Sequence, residues 1–458
     1  MRKLQFLFAF ICVATLVSCS EDNESTSVLT VTTTSPIDVT QSTVILGGEV
    51  LSDGGKPVIE RGICTGEAAN PVIDDPNNFT DILGSGLGVF TGTYDISTLP
   101  PNTTIHVRAY AKNSDGIVYG ENKTFTTLGG CNVVTVSTTN ITSPTTFSVG
   151  NVYIINGTLS VNSTLTIEPG VILKFTIDGN INVENNGKII ADGDANNRIV
   201  FTSIADDSYC GDTNGDGNAT LPQKGDWLNL YLNGGTANSF KYCDFLYAGA
   251  NDGGYRCAVV VSVAGPSFTF DNCTFAHTQT ASNFTAQFAF YAGSYMSNPA
   301  ISVFTNNVFY DNNVPIYLSA TYSINSNNSY SNPLNPAQKN TRNCIWMYPD
   351  AGTNVAVTCN ETEVPYVMDG YLQKSTGSMT IGSDVVMKFP TGNSYGLNIA
   401  SLTLNPTAFL TSIKDDVHGG DTNGDGNATA PAAGDWYGYW NWTTSSWVNG
   451  ANILYAAN

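Results

Sequence analysis

The sequence predicts an all-β protein in which a small antiparallel sandwich precedes a long, coiled parallel sheet with an internal duplication. Three observations support this prediction. Short strands separated by Gly, Asn and Asp recur along the 458 residues, and the 3.6-residue periodicity of amphipathic helices is missing. A nine-residue loop, Asp212-Thr-Asn-Gly-Asp-Gly-Asn-Ala-Thr220, also occurs a second time as Asp421 to Thr429. The flanking segments repeat at the same offset, which indicates a duplication.

The first 18 residues have the composition of a secretory signal, with a basic start and an apolar run too short to span a membrane. Its ending, Leu16-Val-Ser-Cys19, resembles the lipobox of bacterial lipoproteins, and the acidic stretch Ser20 to Glu24 resembles the surface-export signal of Bacteroidota lipoproteins. The resemblance implies lipidation of Cys19, a tether over residues 19–28 and an outer-membrane lipoprotein exposed at the cell surface. The alternative is a signal peptide that happens to end in cysteine.

The composition excludes some classes of partner. The chain has 18 Lys and Arg against 38 Asp and Glu, which gives a net charge of −20. Nucleic acids and anionic lipid surfaces should therefore repel it, whereas calcium and neutral partners are compatible with this charge. After the signal no apolar stretch is long enough to span a bilayer, so we expect contact with the membrane through the lipid anchor alone.

Residues 29–128 are predicted to form the sandwich, because short alternating strands such as Ile59-Glu-Arg-Gly-Ile-Cys64 are split by turn clusters. The segment Leu99-Pro-Pro-Asn-Thr-Thr-Ile-His-Val-Arg-Ala-Tyr110 resembles part of the fibronectin type III domain, although Ile105 occupies the usual tyrosine position. His106 and Arg108 lie on one strand face with no acid or nucleophile pattern nearby. We interpret this domain as a spacer.

From residue 131 the strands become shorter and turn at Gly and Asn. A solenoid needs this pattern, because each coil buries its inward residues only against the coils above and below. Leu165-Thr-Ile-Glu-Pro-Gly170, Ile199-Val-Phe-Thr-Ser203 and Gly225-Asp-Trp227 together resemble the right-handed parallel β-helix of the pectate-lyase-like superfamily. We place the first copy at residues 131–343 and the second at 344–458. The second copy is either truncated or closed by an unusual cap.

Four later coils can be aligned on one template. Their stacking predicts an internal aromatic stack and, beside it, a ladder of small residues in which the two cysteines are buried neighbours; a disulfide between them is the alternative. The aromatic stack is Phe245, Phe275, Phe309 and Tyr330, and the ladder is Cys243, Cys273, Asn307 and Asn328.

Each acidic loop has the ligand spacing of a calcium site, with oxygen-bearing side chains at alternate positions and a glycine at the sharp turn. The pattern resembles the calcium loops of dockerins and EF-hands, but the twelfth position is Gln223 or Ala432, so a later carboxylate has to complete the site. The expected ligands of two Ca²⁺ ions are Asp212, Asn214, Asp216, Asn218 and Asp226, and Asp421, Asn423, Asp425, Asn427 and Asp435. The alternative is an Asn/Asp/Gly turn without a metal.

Aromatic residues follow each loop. Alternation places Leu228, Leu230 and Leu232 in the core and the residues between them outside, and the offset of the repeat extends this register to the second copy. Outward aromatic rows suit stacking on sugar rings. Alternatively, the loop folds over these rings and buries them. The expected ligand-binding residues are Trp227, Tyr231, Trp436, Trp440 and Trp442.

Signs of catalysis are weaker. Polygalacturonases of this fold resemble one another in Gly-His-Gly and Arg-x-Lys tripeptides, and neither occurs here. A calcium-dependent lyase would need a basic residue beside the loops, but Lys224 aligns with Ala433, and we expect the isolated His277 and His418 to be merely solvated. We therefore expect non-catalytic binding of a glycan or another surface. The alternatives are a polysaccharide lyase or glycoside hydrolase with a divergent active site, and a structural surface stalk.

Overall fold

The computed structural model describes residues 28–458, except for 41–42, 101–102, 128–130, 218, 235–236, 251–253, 255, 263–266, 279–286, 294–301, 325–326 and 351–355. The predicted signal segment and Cys19 lie outside the described residues. Two compact units can be separated, one within residues 1–127 and one formed mainly by Leu128–Asn458. No helix long and apolar enough to cross a membrane occurs in the part of the chain that the structure describes.

The first unit consists of two antiparallel sheets. One contains Leu29–Thr33, Thr43–Asp53 and Gly88–Asp95, and the other contains Phe79–Ile82, Glu60–Gly66, Thr104–Asn113, Gly116–Tyr119 and Lys123–Thr126. Alternate residues of the strands point inward, and Val44, Ile63, Val107 and Tyr110 are completely buried. This confirms the predicted sandwich, while its resemblance to fibronectin type III domains stays a prediction.

The second unit is a parallel β-helix, in which each coil contributes one strand to each of three sheets. Sheet A runs through both copies, whereas sheets B and C belong to the first. The strands of sheet A are Asn140–Ile141, Thr158–Val161, Asn180–Val183, Leu230–Leu232, Val259–Val261, Phe288–Ala292, Val314–Ser319, Ile345–Tyr348, Tyr366–Met368, Val386–Phe389 and Phe409–Ser412. Those of sheet B are Thr145–Phe147, Thr164–Ile167, Lys188–Asp192, Asn238–Lys241, Phe268–Asp271 and Val303–Thr305. Those of sheet C are Asn132–Thr135, Asn151–Ile155, Ile172–Phe175, Ile199–Ser203, Cys243–Leu246, Thr274–Ala276 and Val308–Tyr310.

The second copy adds two further sheets after an antiparallel hairpin of Ser331–Asn332 and Asn335–Lys339. Sheet D contains Val357–Cys359, Met379–Ile381 and Leu402–Leu404. Sheet E contains Tyr371–Lys374, Gly392–Ile399, Trp436–Asn441 and the antiparallel Ser446–Val448. The predicted fold class, a sandwich followed by a right-handed parallel β-helix with an internal duplication, is confirmed.

Equivalent strands of the two copies do not lie in the same sheet. Ile172–Phe175 and Ile199–Ser203 pair in sheet C, whereas their counterparts Val386–Phe389 and Phe409–Ser412 pair in sheet A. The two acidic loops follow Ser203 and Ser412, so they leave the β-helix from different sheets.

The core contains the predicted ladders. Phe245, Phe275, Phe309 and Tyr330 stack in series, with ring centroids 5.1, 4.8 and 5.8 Å apart. Cys243 and Cys273 are buried free thiols, and the ladder continues where the Asn307 side chain accepts a 2.9 Å hydrogen bond from the Cys273 amide. The ladder interpretation of these cysteines is therefore confirmed. A disulfide forms elsewhere, between Cys131 and Cys210.

Candidate metal loops and aromatic surface

A serine–aspartate hydrogen bond closes the base of each acidic loop. The Ser203 hydroxyl donates to Asp226 at 2.6 Å, and the Ser412 hydroxyl donates to Asp435 at 2.7 Å. The same carboxylates accept a backbone amide hydrogen bond, from Gln223 at 2.8 Å and from Ala432 at 3.0 Å. Both aspartates therefore fasten the end of the loop to the strand where the loop began.

Asp226 and Asp435 are engaged at the base and are not among the carboxylates that lie together in each loop, so their role as metal ligands stays a prediction. The third carboxylate of each group belongs to Asp207 or Asp416, the fourth residue after the strand that ends at Ser203 or Ser412. One carboxylate oxygen from each of three residues lies within 4.8 Å of the others, and the two groups are Asp207, Asp212 and Asp216, and Asp416, Asp421 and Asp425.

Inside each loop the backbone wraps around the first aspartate. Asp212 accepts hydrogen bonds from the Gly215 and Gly217 amides at 2.6 and 2.8 Å, and Asp421 repeats these contacts at 2.7 and 2.9 Å. The predicted ligands Asn214 and Asn423 each donate a side-chain hydrogen bond of 2.9 Å to the next aspartate of their loop. Asn427 is exposed and has a left-handed backbone with φ 69°, and Asn218 lies outside the described residues.

The donor set fits a hard cation. Ca²⁺ binds oxygen at 2.3–2.6 Å, so ligand oxygens on opposite sides of the ion are at most about 5 Å apart, and the three carboxylate oxygens of each group lie close enough together to share one ion. In both clusters one carboxylate oxygen, Oδ1 of Asp207 or of Asp416, is buried without a hydrogen-bond partner among the described residues. Burial also raises the pKa of both carboxyls, and the neighbouring acids Asp212 and Asp421 raise it further. A bound cation would satisfy the orphan oxygen and neutralise the cluster.

A buried lysine lies beneath each loop, and our sequence interpretation assigned it no role. Lys174 and Lys388 are both completely buried. The Lys174 ammonium donates to the Gly211 carbonyl and the Thr213 hydroxyl at 2.9 Å, and that of Lys388 donates to the Asp415 carbonyl at 2.9 Å. Burial lowers the pKa of each lysine to about 8. The sequence does contain a signal for this lysine, because it occurs at the same position of two equivalent strands, Val171-Ile-Leu-Lys-Phe175 and Val385-Val-Met-Lys-Phe389.

Trp227 and Trp436 point into the core, so the prediction that they face outward is wrong. Both are completely buried, and their rings stack on Phe175 at 4.3 Å and on Phe389 at 4.1 Å. Each indole N–H donates to a backbone carbonyl at 2.7 Å, that of Leu246 or of Leu454. These tryptophans are core residues and do not contact a ligand.

The other predicted aromatic residues are accessible. Tyr231 is partly buried on the outer side of sheet A. Trp440 is also partly buried, and Trp442 is 46% exposed. Trp440 belongs to an aromatic cluster that also contains Tyr437, Trp447 and Tyr371. Within this cluster the ring centroids of Trp440 and Trp447 are 5.2 Å apart and those of Tyr437 and Trp447 are 4.9 Å apart, both edge to face.

Neither predicted isolated histidine is isolated. His418 contacts Asp415 through Nδ1 at 2.7 Å and packs against Phe409, with ring centroids 4.1 Å apart. His277 contacts Asp311 through Nδ1 at 2.6 Å. The expectation that both are merely solvated is therefore wrong.

Comparison with known proteins agrees with this architecture. Residues 139–223 match the family model of the pectate-lyase-like beta helix domain. Among solved structures, the chain is similar to the family 28 exopolygalacturonase of Yersinia enterocolitica, with 13% identity, a TM-score of 0.20, and coverage of 84% of this chain and 89% of that one. A similarity of this size supports no conclusion about activity. No curated protein matches the sequence.

Proposed function

We propose that the β-helix binds carbohydrate, or another surface that offers apolar rings or patches, that this binding surface is not catalytic, and that two Ca²⁺ ions staple the acidic loops. The observation that supports binding is the partly exposed cluster of Tyr371, Tyr437, Trp440 and Trp447. Aromatic rings held edge to face keep fixed orientations, and their free faces suit the apolar face of a sugar ring. A calcium-dependent lyase would need a basic residue beside each loop, but the second copy has Ala433 at the position of Lys224.

Binding is tested by electrophoresis of the purified full chain through gels that contain a neutral polysaccharide such as xylan or glucan. Trp440→Ala should lower the affinity about tenfold, which corresponds to roughly 1.4 kcal/mol, with the thermal melt unchanged. Phe79→Ala, an exposed aromatic residue of the sandwich, is the matched control. Equal migration of Trp440→Ala and the parent chain in every gel that retards the parent would contradict the proposal.

The calcium part has its own test. Calorimetric titration of the chelator-treated chain should show two sites, and Asp207→Asn and Asp416→Asn should each remove one. Ca²⁺ at about 100 times its dissociation constant should stabilise the fold by about 2.7 kcal/mol per site. Absence of binding at millimolar Ca²⁺ would reduce the loops to turns and leave the aromatic proposal standing.

The alternative enzyme, a polysaccharide lyase or glycoside hydrolase acting on acidic glycans, would release unsaturated uronates or new reducing ends. A stalk would give no binding and no products. We also propose that Cys19 anchors the chain in the outer membrane with the β-helix at the cell surface. Incorporation of labelled palmitate into the parent chain and into a Cys19→Ala variant tests this, because the anchor requires the label to be lost in the variant.

A further inference from the structure

Successive coils of the first copy turn at one corner after sheet C, and the residues at that corner are Tyr247, His277 and Asp311. All three have a left-handed backbone, with φ of 62°, 58° and 53°, which glycine adopts at lower cost. The rings of Tyr247 and His277 stack at 5.0 Å with an angle of 13° between their planes, and His277 Nδ1 is 2.6 Å from Asp311 Oδ2. The corner therefore carries a continuous column of side chains.

A lysine from the end of the first acidic loop completes this column. Lys224 Nζ donates to Asp311 Oδ1 and to the Asp311 carbonyl, both at 2.7 Å. The side chains of His277, Asp311 and Lys224 are 23%, 32% and 30% exposed. A small molecule can therefore reach a group whose geometry the fold holds in place.

The arrangement is that of a general base. Burial opposes ionisation of Asp311, but the hydrogen bonds from Lys224 and His277 outweigh it and hold its pKa below the ordinary value. An ionised Asp311 that accepts from Nδ1–H leaves the lone pair of His277 on Nε2, and Nε2 has no hydrogen bond among the described residues. A histidine oriented by a carboxylate in this way takes a proton from water or from a substrate hydroxyl.

Charge pairing determines the class of substrate. Two cations at this corner are paired, Lys224 with Asp311 at 2.7 Å and Arg198 with Asp244 at 2.6 Å. The chain as a whole carries −20, so a uronate would be repelled and would find both Lys224 and Arg198 already paired. A neutral substrate meets neither obstacle.

We propose that His277, Asp311 and Lys224 hydrolyse acyl esters carried by a neutral glycan. Water attacks the ester carbonyl carbon while His277 Nε2 accepts its proton, and the carbonyl electron pair moves to oxygen. The remaining N–H of Lys224 stabilises the oxyanion. The oxyanion then collapses, the bond from the carbonyl carbon to the sugar oxygen breaks, and His277 returns the proton to that oxygen. The products are a carboxylic acid and the free hydroxyl, and no further reactant is needed.

This site goes beyond the binding proposed for the second copy and is independent of it. Within the second copy, Ala433 stands at the position of Lys224, so the lysine of this group has no counterpart there. Changes at His277 should leave glycan binding intact, so failure of one proposal can be told from failure of the other.

The experiment measures acetate release from acetylated xylan, and hydrolysis of p-nitrophenyl acetate, by the full chain. His277→Gln should lower kcat/KM about 100-fold or more, the range for loss of a general base. Asp311→Asn should lower kcat with little change in KM, since Asp311 positions His277. Lys224→Ala should lower kcat about tenfold. This variant should fold, because the second copy has alanine at the equivalent position. His418→Gln is the matched control, because it removes a second His–Asp contact of similar length.

Three results would overturn the proposal: no acetate release by the parent chain above buffer, an unchanged rate in both His277→Gln and Lys224→Ala, or an equal loss in His418→Gln. Melting curves with the same midpoint as the parent show that each variant is folded. If His277→Gln does not fold, the rate of Lys224→Ala tests the proposal instead. Lys224 lies at the surface of the loop, so its replacement should leave the fold intact.

Discussion

Replacing Trp227 with phenylalanine tests whether this side chain lies in the core, as the structure shows, or faces outward, as strand alternation predicted. A phenylalanine can keep a ring against Phe175, but it cannot donate the 2.7 Å hydrogen bond to the Leu246 carbonyl. An unsatisfied buried carbonyl costs about 1–3 kcal/mol, and the smaller ring leaves a cavity that costs about 1 kcal/mol more. We therefore expect Trp227→Phe to lower the free energy of unfolding by about 2–4 kcal/mol.

Urea unfolding of the full chain, followed by far-ultraviolet circular dichroism, measures this quantity. The midpoint of the β-helix transition should fall while its slope stays unchanged, because the surface exposed on unfolding is nearly the same. Trp436→Phe should behave alike, since Trp436 makes the same two contacts. Trp440→Ala should cost less than about 1 kcal/mol. A loss below about 0.5 kcal/mol for both phenylalanine variants would refute the core placement.

Two further outcomes follow from the loops. Cys210→Ser opens the Cys131–Cys210 disulfide, which closes a loop with a sequence separation of 79 residues. The loss of chain entropy restraint should lower the free energy of unfolding by about 4.5 kcal/mol, and an unchanged urea midpoint under matched redox conditions would contradict this. Burial lowers the pKa of Lys174 from 10.5 to about 8, so below pH 8 the folded chain carries the full penalty of a buried charge. Between pH 8 and 10.5 the unfolded chain binds more protons, so parent stability relative to Lys174→Met should rise with pH by up to about 3 kcal/mol. Urea unfolding in chelator at pH 7 and pH 10 measures this, and a flat or falling difference would contradict it.

The sequence predicted the coils well because strand alternation and stacking are local rules. It failed at Trp227 because the chain turns a corner between Trp227 and the strand Leu230–Leu232. Trp227 forms an isolated bridge to Ala248, and the next fully buried side chain is Leu230, three positions later. In the second copy Gly438, with φ 117°, shifts the alternation so that both Trp436 and Tyr439 point inward. Period two does not hold across a corner or a glycine in this conformation.

The metal loops show a different limit. Ligand spacing identified Asp212 and Asp216, but it could not show that Ser203 engages Asp226 or that Asp207 reaches the cluster. Both contacts depend on where the end of the loop lies relative to the strand, and a single sequence does not specify that position. The Asp-Asp pair before each loop was visible, and its constant distance from the loop was the available signal for Asp207 and Asp416.

Equivalent strands of the two copies lie in different sheets, and this arrangement explains which features occur in both copies. Each loop needs only its own strand, its own aspartates and a lysine from the preceding coil, so the unit remains complete in sheet C or in sheet A. The acid–base column instead needs three successive coils, because Tyr247, His277 and Asp311 are consecutive corners and Lys224 crosses them to reach Asp311. Each acidic loop is therefore a self-contained unit that occurs in both copies, whereas the column draws on three coils of the first copy. Calcium binding should consequently report on both copies, whereas ester hydrolysis should report on the first alone.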